Sequence, residues 1–228
     1  MIHALLAAAG RSERMGRPKL LLLFKGKTVL ECCIAAFRQA GIERILVVAP
    51  PHPQAIADTA RRAGADVLHL REPTPDMQAT VQAGLRWMAA HWQPKPADRW
   101  LLSPADHPVL DADAIRCLCA ASASSSASIL VPTYLRRRGH PVLLSWEHAE
   151  AVADLPPGTG INRYIRSQGS NVQEIEVGTP QILSDLDTPE DYERLLRLGH
   201  DQVQANIAQP SELPRASKTD SGADGHRG

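Results

Sequence analysis

Short apolar segments recur along this chain with helix-like segments between them, and this alternation restricts the fold more than any other feature. The apolar segments span residues 2–8, 44–49, 66–70, 99–103 and 129–132. Two intervening segments carry apolar side chains on one helical face, at Val29, Cys33, Ala36 and Phe37 and at Val81, Leu85, Met88 and Trp92. Strands that alternate with such helices are typical of α/β proteins. The pattern therefore predicts an α/β fold with a mostly parallel sheet.

The length and composition indicate one folded domain with a tail. A chain of 228 residues, of which 43% are hydrophobic, can bury a sizeable core. The last segment, from about residue 201, is rich in Gln, Ser, Pro, Ala and Asp and has almost no apolar periodicity. We therefore expect a domain over residues 1–198 and a disordered tail over residues 199–228.

The charge pattern argues against two classes of partner. The formal net charge is zero and the basic residues are scattered, whereas a nucleic-acid surface needs a concentrated positive stripe. No run of eighteen apolar residues occurs, and no charged start precedes a cleavable apolar segment. We expect a cytoplasmic protein that binds neither nucleic acid nor a membrane. Small charged substrates are compatible with this composition.

The first apolar segment runs into a loop of small residues and cations within ALLAAAGRSERMGRPKL, residues 4–20. Small side chains let backbone N–H groups approach an anion closely, and several cations can neutralise a polyphosphate such as a nucleoside triphosphate. The spacing fits neither the Rossmann fingerprint nor the Walker loop, so a solvated basic loop is the alternative to a phosphate cradle. The residues that would form the cradle are Ala8, Ala9, Gly10, Arg11, Ser12, Arg14 and Lys19.

Two acidic segments fit the same site. Asp106 follows an apolar strand in LLSPADHPVL, and its carboxylate should emerge at the carboxyl edge of the sheet, where open parallel sheets bind ligands. Asp185 and Asp187 alternate in DLDTPEDY after a predicted strand near residues 181–184, so one of them must point away. Thr188 is predicted to cap the helix that follows. Carboxylates bind Mg²⁺ through oxygen, and with the cationic loop they predict a magnesium-triphosphate site.

Four motifs resemble, in this order, the MobA-like nucleotidyltransferases, and most closely their molybdenum cofactor cytidylyltransferase branch. They are LLAAAGRSERMGRPKLLL, LLSPADHPVL, RRGHPVLL and LSDLDTPEDYERLL, and the resemblance spans about residues 2–198. It implies a three-layer α/β/α nucleotidyltransferase fold of Rossmann-like type. It also implies that Asp106 and Asp187 hold Mg²⁺ and that Gly10, Arg14 and Lys19 contact the triphosphate.

The resemblance implies a reaction in which a phosphate oxygen of the acceptor attacks the α-phosphorus of a triphosphate and pyrophosphate leaves. The AAG form of the first motif, at residues 8–10, favours CTP, because the LAGG form is associated with guanylyl transfer. Such transfer depends on alignment and charge stabilisation, so Arg14, Lys19 and Asp106 are the expected catalytic residues. The implied acceptor is molybdopterin or the molybdenum cofactor, and a molybdoenzyme or its assembly factor is the implied protein partner.

Substrate contacts beyond the phosphates are expected from three further residues. Gln78 and Thr80 stand where the family places a base-contacting segment before a helix, and both can hydrogen-bond a base or ribose. His140, in the GHPV motif, is expected to shape the acceptor site. The turn-rich PPGTG segment at residues 156–160 is expected to form a lid over the substrate.

Two alternatives remain open on sequence alone. A sugar-phosphate or alcohol-phosphate nucleotidyltransferase would use the same chemistry, since the AAG form also occurs in such enzymes. A non-catalytic nucleotide-binding factor in molybdoenzyme assembly would bind the triphosphate without releasing pyrophosphate.

Overall fold

The computed structural model describes residues 1–197. Within them the strands are β1 Ile2–Ala7, β2 Leu23–Phe24, β3 Lys27–Thr28, β4 Arg44–Ala49, β5 Asp66–His69, β6 Arg99–Pro104, β7 Ile129–Tyr134, β8 Arg137–Arg138, β9 Val142–Ser145 and β10 Val172–Glu176. The α-helices are α1 Val29–Gln39, α2 Gln54–Arg62, α3 Met77–His91, α4 Ala112–Ser124, α5 His148–Ala153, α6 Ile161–Ser167 and, over residues 189–197, α7. Short 3₁₀ helices cover Glu13–Met15, Lys19–Leu21, Gly169–Asn171 and Pro180–Leu183. The expected disordered tail over residues 199–228 and the domain boundary at residue 198 lie outside the described residues.

One mixed sheet forms the middle layer of the molecule. Its strand order is β10-β7-β9-β6-β1-β4-β5, with β8 paired to β7, while β2 and β3 form a separate small ribbon. In this sheet β8 and β9 run antiparallel to their partners, and the other pairs are parallel. The five strands predicted from the apolar segments are present as β1, β4, β5, β6 and β7. The predicted α/β fold with a mostly parallel sheet is confirmed.

Helices cover both faces of the sheet, because each strand sends alternate side chains to opposite sides. On β1, Leu6 packs in a core with residues of α1, α2 and α4. Its neighbour Leu5 packs in a second core with residues of α3, α5 and α6. Both leucines are fully buried. The result is the predicted three-layer α/β/α arrangement.

The last predicted strand is in the wrong place. Pro180–Leu183 forms a 3₁₀ helix, because Pro180 has no N–H for a strand ladder and the Thr179 hydroxyl accepts a hydrogen bond from the Gln181 N–H. The last strand of the described residues is instead β10, which pairs in parallel with β7. Three of its five residues are exposed, so its polar side chains conceal it from a search for apolar runs.

Capping interactions fix where two helices near the carboxyl edge begin. Asp76 accepts a hydrogen bond from the Ala79 N–H at 2.8 Å, and α3 begins directly after it. Thr188 accepts one from the Asp191 N–H at 3.2 Å, and the Asp191 carboxylate accepts one from the Thr188 N–H at 2.9 Å. This reciprocal pair confirms the predicted cap at Thr188. These caps therefore fix the residues at which the preceding loops end and α3 and α7 begin.

Gly84 lets α3 approach the sheet closely. A Cβ atom at this position would lie 2.7 Å from Cδ1 of Leu5 and 2.8 Å from Cγ2 of Val48, and both side chains are fully buried. Because neither can move aside freely, we expect Gly84→Ala to lower the free energy of unfolding by about 1–3 kcal/mol, as measured by denaturant titration. Ala89→Ser, at an exposed position of the same helix, should change it by less than about 0.5 kcal/mol. A Gly84→Ala variant as stable as the parent protein would contradict the close packing.

Candidate active site

The loops after β1 and β6 lie side by side, because β1 and β6 are adjacent parallel strands. Their last residues, Ala7 and Pro104, are paired in register. The Ala105 N–H then donates a hydrogen bond to the Ala7 carbonyl at 3.1 Å. The cationic loop and Asp106 therefore leave the sheet together at its carboxyl edge, where parallel sheets bind ligands.

The loop after β1 is shaped by its own polar groups. Ser12 and Gly16 adopt left-handed backbone conformations, with φ of 55° and 66°, on either side of the 3₁₀ helix Glu13–Met15. The Ser12 hydroxyl accepts a hydrogen bond from the Lys19 N–H at 3.3 Å. This bond closes the loop and brings Lys19 back towards the strand ends. Contact between Ser12 and a phosphate stays a prediction.

A cluster of opposite charges occupies the point where these loops meet. Lys19 Nζ lies 2.5 Å from Oδ2 of Asp106 and 2.8 Å from Oδ1 of Asp187, so one ammonium group bridges two carboxylates. Arg14 contacts the other oxygen of Asp187 at 2.5 Å. The side chains of Lys19 and Asp106 are each 13% exposed, whereas that of Arg14 is 70% exposed. Lys19 and Asp106 are thus shielded from solvent, whereas Arg14 lies at the open side of the cluster.

The contacts within the cluster shift the pKa values of Lys19 and Asp187. Burial opposes the charge on Lys19, but attraction to Asp106 and the hydrogen bonds to both acids outweigh it and raise the pKa of the ammonium group. Burial likewise opposes the charge on Asp187, but its hydrogen bonds and attraction to Lys19 and Arg14 lower the pKa of this carboxyl. Both groups are therefore charged at neutral pH.

Backbone contacts hold the segment of Asp187 beside Asp106. The Leu186 N–H donates a hydrogen bond to the Asp106 carbonyl at 3.1 Å, and the Leu186 side chain is buried. Asp187 consequently faces Lys19, whereas Asp185 lines a different small cleft. The alternation expected along this segment is present, and Asp187 is the acid that joins the cluster.

The carboxylates are suited to a divalent cation. Asp106 Oδ1 is buried and has no hydrogen-bond partner among the described residues, although Oδ2 of the same carboxylate is paired with Lys19. Hard cations such as Mg²⁺ prefer carboxylate oxygens and are often held by one or two of them together with substrate phosphates. In residues 1–197 no group of three or more His, Cys, Asp or Glu side chains could hold a metal ion alone. A site made of these two carboxylates and the phosphate oxygens of a substrate would match the ligand preference of such a cation.

A first cleft lies between the loop after β1 and the start of α3. Its lining includes most of the residues expected to bind the nucleotide and its metal ion, namely Ala8, Ala9, Gly10, Arg11, Lys19, Thr80 and Asp106. Ser12, Arg14 and Asp187 line the adjoining depression. Residues 74–77 also line the first cleft, although no role was predicted for them. Their position could have revealed them, because they lie between the carboxyl end of β5 and the capped start of α3.

The two residues expected to contact the base are both engaged within the protein. The Thr80 hydroxyl lies 2.6 Å from that of Thr74 and donates to the Asp76 carbonyl at 3.1 Å. The Gln78 amide donates to the carbonyls of Leu155 and Pro156 and accepts from the Gly160 N–H. Thr80 still lines the first cleft, whereas Gln78 lines another. Their contacts with a base stay predictions, and the structure shows Gln78 positioning a loop.

A second cleft opens on the other side of the start of α3. Its lining is formed by Asp76, Met77, Gln78, Leu102, His140, Val142, Gly158, Gly160, Ile161, Asn162 and Ile165. Asp76 and Met77 belong to both clefts. The segment 156–160, expected to be a lid, contributes to a wall here and is bonded to α3 through Gln78.

The GHPV motif places His140 in the wall of the second cleft. The His140 N–H donates to the Ile182 carbonyl at 2.9 Å, and a Cβ atom at Gly139 would lie 2.4 Å from the same oxygen, so this close approach requires glycine. The imidazole lies edge-on to that of His107, with ring centroids 5.6 Å apart. Burial lowers the pKa of His140 to about 4, so the ring is neutral at pH 7.

Across the part of the chain that the structure describes, no helix is both long enough and apolar enough to cross a bilayer.

Several known proteins are similar to this chain in sequence or in structure. Residues 4–172 match the MobA-like NTP transferase domain. The chain is 27% identical to the nicotine blue oxidoreductase of Paenarthrobacter nicotinovorans, covering 86% of this chain and 96% of that protein. It is 24% identical to the molybdenum cofactor cytidylyltransferase of Escherichia coli K12, covering 84% and 93%. The crystal structure of Rv0371c from Mycobacterium tuberculosis in complex with manganese superposes with a TM-score of 0.66 and 26% identity, covering 86% and 97%.

The family match begins within β1 and ends at the first residue of β10. It therefore includes the cationic loop, Asp106 and the GHPV motif, which are the parts of the chain that meet around the two clefts. The fold agrees with it, because the related solved structure superposes over most of the chain. The chain belongs to the MobA-like NTP transferase family of nucleotidyltransferases.

Proposed function

We propose that this protein transfers CMP from CTP to a phosphate-bearing acceptor of the molybdopterin type and releases pyrophosphate. The observation that carries the proposal is the convergence of Lys19, Arg14, Asp106 and Asp187 at one point of the carboxyl edge. Cations suited to a triphosphate and carboxylates suited to a divalent metal lie there within contact distance of each other.

The cationic side chains have the clearest roles in this reaction. Lys19 and Arg14 would neutralise charge on the triphosphate and on the departing pyrophosphate. The small residues 8–10 leave the first cleft open to the phosphates, and Arg11 lies at its wall. Because Lys19 spans two carboxylates and also lines the first cleft, a triphosphate bound there would meet its ammonium group beside the acids.

Asp106 and Asp187 would hold Mg²⁺ in this proposal. Oδ1 of Asp106 is buried and has no hydrogen-bond partner among the described residues, which supports the assignment. The related M. tuberculosis structure is a complex with manganese, which supports a divalent metal in this family. A divalent ion bound here would supply positive charge to the phosphate oxygens during transfer. The acceptor phosphate is already ionised near neutral pH, so the protein needs no general base to activate it.

The choice of CTP rests on the loop after β1 and on one relative. The AAG form at residues 8–10 resembles the branch that uses CTP, and the E. coli relative is named as a cytidylyltransferase. The molybdopterin-type acceptor rests on the same relative. A sugar-phosphate or alcohol-phosphate acceptor is the alternative, since it would need the same charges.

The similarity to the nicotine blue oxidoreductase gives a second candidate function, an oxidoreductase. The charge cluster favours transfer instead, because hydride chemistry does not require two carboxylates bridged by a lysine. Decolorisation of nicotine blue by the purified chain, supplied with a reduced nicotinamide cofactor, would support the oxidoreductase. Absence of that reaction together with pyrophosphate release would support the transferase.

A panel of triphosphates and acceptors tests the proposed reaction. The full chain is incubated with Mg²⁺, each labelled nucleoside triphosphate and either molybdopterin or a set of sugar and alditol phosphates. We expect pyrophosphate release with CTP and molybdopterin, its loss with EDTA and its return with excess Mg²⁺. Release with a sugar phosphate instead would support the alternative acceptor, and triphosphate binding without release would indicate a non-catalytic factor.

Removal of the Asp106 carboxylate should abolish most of the activity. We expect Asp106→Ala to lower the turnover number by at least about a hundredfold, the scale seen when one electrostatic stabiliser of a transition state is lost. Asp113→Ala is the matched control, because Asp113 is an exposed acid paired with Arg116 at the start of α4. Thermal unfolding of each variant separates a loss of chemistry from a loss of fold. Near-normal magnesium-dependent turnover in Asp106→Ala would refute the role.

Replacement of Lys19 should raise the pKa of Asp187. Burial pushes this pKa upwards and Lys19 opposes it, so Lys19→Gln should move it up in an NMR titration of the carboxyl carbon. Arg11→Gln is the control, because Arg11 pairs with Glu13 and forms no ion pair with either acid among the described residues. The same Asp187 pKa in Lys19→Gln and the parent protein would exclude the bridging role.

The same substitution should change how stability depends on pH. A carboxyl whose pKa is lower in the folded state adds stability above its unfolded pKa, and this is lost as the pH falls through the folded pKa. The stability difference between the parent protein and Lys19→Gln should therefore be largest near neutral pH and shrink below about pH 4. A difference that stays constant down to pH 2 would show that Lys19 acts through packing alone.

A further inference from the structure

The second cleft differs from the phosphate site in charge. Its described lining contains neither arginine nor lysine, and Asp76 is its single acidic side chain. The first cleft and the adjoining depression, by contrast, carry Arg11, Arg14 and Lys19. A phosphate group finds its counter-ions on the first side, so the second cleft is suited to an uncharged group.

We propose that the second cleft binds the uncharged, flat heteroaromatic body of the acceptor, an inference that rests on the proposed function. The sheet contributes Leu102 and Val142 to the cleft, and α6 contributes Ile161 and Ile165. Met77, which is 41% exposed, adds a flexible apolar side chain where the two clefts adjoin. Apolar lining of this kind gains contact area with a flat ring, whereas it would leave the hydroxyl groups of a sugar unpaired.

Two neutral polar side chains can bind the edge of such a ring. His140 Nδ1 is buried and has no hydrogen-bond partner among the described residues, and its imidazole is neutral at pH 7. Asn162 is exposed at the cleft, and its amide forms no hydrogen bond within the described chain. Nδ1 of a neutral imidazole can donate or accept according to its tautomer, and an amide offers both a donor and an acceptor. They match a heterocycle whose edge carries N–H groups beside ring nitrogen or carbonyl acceptors.

The loop beside the cleft is held in place before any ligand enters. The Gln78 amide donates to the Leu155 carbonyl at 3.1 Å and to the Pro156 carbonyl at 2.9 Å, and it accepts from the Gly160 N–H at 2.8 Å. Gln82, one turn further along α3, donates to the Leu155 carbonyl at 2.9 Å. A preformed wall lowers the entropy cost of binding a rigid ring.

The position of the second cleft suits a molecule with a ring at one end and a phosphate at the other. Asp76 and Met77 line both clefts, so the two spaces adjoin at the start of α3. A ring in the second cleft would therefore direct its phosphate arm towards Lys19 and Asp106. This orientation brings the nucleophilic oxygen to the side where the triphosphate binds.

Binding of a phosphate-free pterin tests this assignment directly. The fluorescence of 6-hydroxymethylpterin is titrated with the full chain, and we expect saturable binding that glucose 1-phosphate does not displace. Asn162→Ala should weaken pterin binding about three- to tenfold, the effect of one hydrogen bond, and Asn162→Arg should weaken it at least as much. In the transfer assay both variants should raise the KM for the acceptor more than they lower kcat. Asn171→Ala is the matched control, an exposed asparagine outside both clefts.

The outcomes separate this inference from the proposed reaction. Unchanged pterin affinity in both Asn162 variants would overturn the inference, as would displacement of the pterin by glucose 1-phosphate. Asn162-dependent pterin binding without pyrophosphate release from any triphosphate would uphold the cleft assignment and refute the transfer reaction. CMP transfer to a sugar phosphate, without pterin binding, would uphold the reaction type and refute the cleft assignment.

Discussion

The parallel pairing of β1 with β6 is the constraint on which the site depends. Its register runs from Ile2 opposite Arg99 to Ala7 opposite Pro104, so both strands end at one level. A slip of one residue would turn the side chains of β1 to the opposite layers, and burial on both faces prevents it. Lys19 can then meet the carboxylate of Asp106. Because both side chains are only 13% exposed, removal of either one would leave the other charge largely buried and unpaired, which is costly.

The sequence carried enough information to predict the strands of the sheet centre and the segments that meet at its edge. Short apolar segments signal buried strands, and the carboxyl-edge rule then brings the cationic loop and Asp106 together. The choice between Asp185 and Asp187 was beyond this reasoning. It depends on the hydrogen bond from the Leu186 N–H to the Asp106 carbonyl, a contact across eighty residues of chain that no local pattern reveals.

Other parts of the site could not be predicted, because they too depend on contacts between residues that are far apart in the sequence. Gln78 was expected to contact a base, but its amide binds the backbone of residues 155–160, whose position depends on how α5 and α6 pack. The second cleft is assembled from four separate stretches of chain, so its neutral lining has no sequence signature. The antiparallel direction of β9 depends on its pairing with β6 and β7, which no local pattern reveals.

The polar character of β10 has a consequence for self-association. In the described sheet β10 is an outer strand, and an exposed outer strand offers unpaired N–H and C=O groups to the strands of other molecules. Gln173, Glu174 and Glu176 are all exposed on this strand. A second copy aligned edge to edge would bring like charges together, which disfavours sheet extension and fibre growth. The residues that conceal β10 from an apolar search thus help to keep the sheet closed to its own copies.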